Sequence, residues 1–198
     1  GNYNLFNSYG STGGFSFLSS STGLTHVNGS EAADTINVAS AAASGGNVMA
    51  WLIGRGGADI ITGASAPGAV SLAQISTVVG NSPDTGVNAA SGSSVNTSSF
   101  DRYSNFTAGD KFSLITSNSA TLGVATSQAT VAGQDDKIVF TQGNYANNVF
   151  TASASGADTL ITWDAANSTA IEYHSVVLIG FVGSSGGETM YGSGPMYF

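Results

Sequence analysis

GRGGADIIT, residues 54–62, sets three glycines and an aspartate directly before a β-branched pair. Two local structures suit that order. One is a tight turn entering a strand; the other is a metal-binding turn. In the second, glycines allow the positive φ that turns backbone carbonyls inward. Asp59 then adds a carboxylate oxygen, and a hard cation such as calcium collects about six to eight oxygens. The residues after Asp59 make a short strand, and Ile61 enters a core.

The repeating pattern of calcium-binding β-rolls is G-G-x-G-x-D-x-U-x, where U is large and apolar. Gly54, Gly57, Asp59 and Ile61 stand at its positions, and Arg55 replaces the second glycine. Two shorter echoes keep one glycine, the aspartate and the apolar residue. They are Gly29 to Ile36, with Asp34, and Ser155 to Leu160, with Asp158. Asp34 and Asp59 are separated by neither nine nor eighteen residues, so a long uninterrupted roll is not encoded.

Composition narrows the rest. The chain has 198 residues, enough for one ordinary domain with a real core or for two small ones, and 41% of them are hydrophobic. Only 8% are charged, against about 25% in typical soluble domains. A surface of hydroxyls and amides suits contact with copies of itself, because few charges need desolvation. The net charge of −8 argues against nucleic acid, whose phosphates need clustered Lys and Arg. There is no cysteine, which excludes disulfides, thiol catalysis and Cys-based metal sites. No stretch approaches the roughly 20 apolar residues of a membrane helix, so no membrane insertion is expected. Residues 1–20 lack the basic and apolar segments of a signal peptide.

Strand signals dominate and 27 glycines punctuate them. The expected strands are 15–17, 35–38, 48–53, 60–62, 111–115, 137–141, 148–152, 159–163 and 173–182. Ala39 to Ala43 and Ala69 to Val79 are the only plausible short helical pieces. The fold class is therefore all-β: degenerate β-roll or β-helix elements packed with an antiparallel β module. Segments 1–28 and 183–198 read as terminal arms around a β domain at 29–182. Phe15, Phe17, Tyr191, Tyr197 and Phe198 mix with Gly and Ser in these arms. They read either as flexible tails or as anchors on a neighbouring subunit, where Phe15 and Phe17 share one face of a strand.

Residues 99–115, SFDRYSNFTAGDKFSLI, resemble the segment that follows the repeats in RTX proteins exported by type I secretion. Phe106, Gly109, Asp110, Lys111, Phe112 and Leu114 match that segment, and Ser113 replaces an acidic residue. Residues 139–182 resemble the terminal β module of such proteins, through Gly143-Asn144-Tyr145, Phe150-Thr151, Gly156 to Leu160, Asp164 and Val176 to Gly180. The resemblance implies secretion and folding outside the cell, where calcium is abundant. It implies Ca2+ as the cofactor, with Asp34 and Asp59 as first candidates and Asp84, Asp110 and Asp158 as further ones.

Catalytic patterns are missing from the sequence. No H-E-x-x-H is present and no G-x-S-x-G, so no enzyme activity is expected. His26 and His174 are the only histidines, and His174 reads as a strand-edge residue. The expected function is a secreted structural protein that self-assembles into a filament or surface layer at the cell surface or in a biofilm matrix. The alternative is an adhesin or carbohydrate-binding module of the RTX family, stacking surface glycans on Trp51 or Trp163.

Overall fold

Short β-branched and aromatic runs, cut by Gly, Asn and Ser, are too brief for helices and well suited to a pleated surface. In the computed structural model, every regular element among the described residues is a strand. The described residues are 3–8, 11–18, 24–40, 49–65, 70–76, 92–106, 111–115, 123–124, 137–164, 173–182 and 195–197.

The N-terminal strands are β1 (Tyr3–Asn7), β2 (Ser16–Leu18), β3 (Leu24–Asn28), β4 (Thr35–Asn37), β5 (Met49–Ile53), β6 (Ile60–Thr62) and β7 (Val70–Ser76). They are followed by β8 (Ser94–Asn96), β9 (Asp101–Ser104) and β10 (Lys111–Ile115). Apart from β8, successive strands alternate between two sheets. One sheet runs β1-β3-β5-β7-β10, and the other begins β2-β4-β6-β9. Every pair along these paths is parallel. Each sheet carries a buried column of side chains. Val27 and Leu52 are in register in the first; Ile36, Ile61 and Tyr103 are in register in the second.

The remaining strands are β11 (Gly123–Val124), β12 (Lys137–Ala146), β13 (Val149–Ala152), β14 (Asp158–Asp164), β15 (Tyr173–Ile179) and β16 (Pro195–Tyr197). β15, β14, β12, β13 and β8 form an antiparallel run. β12 and β13 are joined through Asn147 and Asn148, at φ 52° and 60°, the positive-φ pair of a type I′ hairpin turn. Phe100, Phe150, Leu160 and Val177 form its core. β9 pairs in parallel with β15, so the second sheet passes from parallel to antiparallel order and reaches ten strands. β16 closes the first sheet antiparallel on β10.

The segments read as arms contribute strands to both sheets. β1, β2 and β3 come from residues 1–28, and Tyr197 lies opposite Lys111 in β16. Phe17 lies opposite Ile36 in β2. Tyr191 and Phe198 fall outside the described residues. One expectation fails: within Ala69 to Val79, Val70–Ser76 is strand β7, not helix. Pairing with β5 on one side and β10 on the other outweighs its local helix propensity. At the other expected helical piece, Ala39 and Ser40 form a turn. Asn37 Oδ1 accepts the Ala39 N–H at 3.0 Å there, and residues 41–43 lie outside the described set.

Candidate functional site

Asp34, Asp59 and Asp101 each sit where a turn enters a strand of the second sheet, at β4, β6 and β9. The sheet's parallel register stacks them. The Phe15 N–H donates to Asp34 Oδ1 at 2.8 Å, the Asp34 N–H to Asp59 Oδ1 at 2.8 Å, and the Asp59 N–H to Asp101 Oδ1 at 2.9 Å. The intervals are 19, 25 and 42 residues, yet each aspartate reaches the same level of the next strand. All three are buried. The side chain thus accepts a backbone N–H that lies just before the ladder begins.

The outer oxygens differ. Asp34 Oδ2 accepts the Ser30 N–H at 2.6 Å, and the Ser30 hydroxyl donates to Oδ1 at 2.7 Å. Asp59 Oδ2 is buried without a hydrogen-bond partner among the described residues. It lies against the bare Cα of Gly54, where a Cβ would collide with it. Burial, above all, and then the charge of Asp101 push the Asp59 carboxyl up to about 8. Burial likewise pushes Asp101 up to about 7, against the lowering effects of the Asp59 N–H and the Arg102 charge. Adjacent strands are about 4.8 Å apart. At that spacing two ionised carboxylates repel by roughly 3 kcal/mol at an effective dielectric constant near 20. A proton or a cation relieves that repulsion.

Arg55, which departs from the repeat pattern, adopts φ 77°, the conformation for which glycine is favoured. Its Nε donates to Asn28 Oδ1 at 2.7 Å, and its guanidinium pairs with Glu31 at 3.1 Å. The residue therefore clamps its own turn to the turn before it. Gly57, at φ 99°, packs so closely on Ala32 and Ala33 that a Cβ would strike their backbone.

Asp158 belongs to the antiparallel run, away from this column. Its Oδ2 accepts the Tyr145 N–H at 2.6 Å and its Oδ1 the Gly180 N–H at 2.7 Å, so both oxygens hold backbone. Asp84 and Asp110 lie outside the described residues. Among the described residues no three His, Cys, Asp or Glu side chains converge as a metal cluster. A cation at the column would draw on backbone carbonyls and on Asp59 Oδ2, the orphaned oxygen. Asp101 is the member that sequence reading missed. It has no glycine turn before it, but Asp101-Arg102-Tyr103 repeats the Asp-x-apolar order of Asp34-Thr35-Ile36 and Asp59-Ile60-Ile61.

A second feature lies at the β1 end of the first sheet. A groove of about 320 Å³ is lined by Leu5, Phe6, Asn7, Ser8 and Phe15. Leu5 is 55% and Phe6 41% exposed, although Val27, the next residue in the Phe6 column, is fully buried. Among the described residues no helix is long and apolar enough to cross a membrane. Comparison with known protein families, curated proteins and solved structures finds no match to the chain.

Proposed function

We propose that this chain is a secreted structural protein of RTX type that self-assembles into an extracellular filament or surface layer, with calcium stabilising the fold. The alternating parallel strands are read as a degenerate β-roll. The observation that carries the assembly reading is the β1 end of the first sheet. Natural sheets blunt such edges with lysine, proline or bulges; YNLFN has no charge and no proline, and it presents Leu5 and Phe6 to solvent. Repeat architectures with open ends stay soluble through polar terminal units, and this end is apolar.

The calcium part rests on Asp59 Oδ2, buried, without a hydrogen-bond partner among the described residues and faced by Gly54. Asp59 is the proposed ligand; Asp34 beside it holds Phe15 and Ser30 with its two oxygens and would have to release them to join. Assembly is tested by sizing and electron microscopy of the purified chain across a concentration series, with calcium and with chelator. Ordered polymers in calcium support the reading. A monomer at every concentration in both conditions overturns it. Equal melting temperatures in calcium and chelator overturn the calcium part alone.

A further inference from the structure

We infer that copies of this chain join head to tail through the first sheet, β1 of one copy adding in parallel to β10 of the next, and that β16 is the removable cover of that β10 edge. This rests on the self-assembly reading and names its contact. β1 and β10 are the two ends of one all-parallel path. A copy translated along that path meets the edge in the same strand direction that every internal pair uses. The two strands are each five residues long. The register carries one column from Phe6 through Val27, Leu52 and Ala73 to Phe112, and another from Leu5 through His26, Trp51 and Leu72 to Lys111. Stacking extends both columns and covers Phe6, the exposed end of a column that is otherwise buried at Val27 and Leu52.

The cover is weak by construction. β16 spans three residues against five, pairs only with Lys111 to Ser113, and runs antiparallel in a parallel path. Pro195 within it has no N–H to donate. Residues 1–30 contain no Asp, Glu, Lys or Arg, so an approaching β1 brings no charge of its own, and Lys111 is the one charged residue in the two strands. A contact that joins unlike ends, with no rotation that closes a ring, propagates as an open filament.

The chain has no cysteine, so engineered thiols report cleanly. Leu5→Cys and Lys111→Cys are combined in one full-length chain. Within a molecule the two positions are four strand spacings apart, about 19 Å. A bis-maleimide with a reach of about 10 Å spans a two-residue slip in register but not that internal gap. The expected result is a ladder of covalent dimers, trimers and longer species in calcium, from protein whose circular dichroism matches the unsubstituted chain. Deletion of residues 195–198 is expected to lower the concentration for half-assembly by about tenfold. Filaments without a cross-linked ladder overturn this contact and leave the assembly reading standing. Full-length and shortened chains that both stay monomeric overturn both. A shortened chain that assembles less readily than the full chain overturns the role of β16 as a cover.

Discussion

Asp59 and Asp158 occupy the same short pattern, Asp followed two residues later by a large aliphatic side chain, and do opposite work. In the antiparallel half, Asp158 spends both oxygens on backbone N–H groups, from Tyr145 and Gly180. It is a satisfied structural tie between the start of β14, the β12 strand and the turn after β15. In the parallel half, Asp59 accepts one N–H, from Asp34, and its other oxygen is buried with no hydrogen-bond partner among the described residues. One motif closes a fold, and the other leaves a buried charge that the fold must neutralise. The difference comes from neighbours. The outer oxygen of Asp158 meets a backbone N–H, and so does that of Asp34, from Ser30, whereas the outer oxygen of Asp59 faces the bare Cα of Gly54.

The contrast can be broken at four points. The largest effect belongs to Gly156→Ala, because its Cβ would strike the Gly143 backbone, which has no side chain to yield. A loss of about 4 kcal/mol is expected, read as a lowered urea midpoint. Next is pH. The folded pKa values of Asp59 and Asp101 are raised, to about 8 and about 7, above an unfolded value near 3.9. Their folded state therefore holds protons that the unfolded state releases. That stability is fully present below about pH 4 and is lost as pH rises through 7 to 8. The melting temperature in chelator should be higher at pH 5 than at pH 8.5, and Asp59→Asn should flatten the profile. An unchanged melting temperature across this range would remove the buried-charge account.

Asp158→Ala should cost about 2 kcal/mol, because it strands two backbone donors; Asp158→Asn should cost less. Calcium should not alter either value. The smallest effect is Gly54→Ala, about 1 kcal/mol, since its Cβ meets the Asp59 carboxyl rather than backbone. The double variant with Asp59→Ala should lose less than the sum of the two single changes. Strict additivity would mean that Gly54 and Asp59 do not touch.

Much of the strand pattern was legible because period-2 and β-branched runs are local signals. Ile60–Thr62 and Lys111–Ile115 lie where their residues place them. β7 was not legible. Its VSLAQIS alternates weakly and contains alanine, and only flanking strands distant in sequence make it β. The aspartate column was half legible. The turn at residues 54–62 points to Asp59, but the unequal intervals hide the stack. The loops between strands vary in length, while the register does not. Asp101 was hidden for the same reason, with no glycine turn before it.

The β9–β15 seam separates pairings of low and high loop cost. β12 and β13 need only a two-residue turn, and β14 and β15 pair with segments close in sequence, contacts that cost little loop entropy and form early. β9 must instead find β15 across most of the C-terminal half. Among the described residues, the second sheet's parallel strands reach the hairpins through this seam. The hairpin strands are therefore expected to pair before β9 joins β15, and pulse-labelled hydrogen exchange during refolding checks it: protection of β9 no later than that of β12 and β14 would reverse the order.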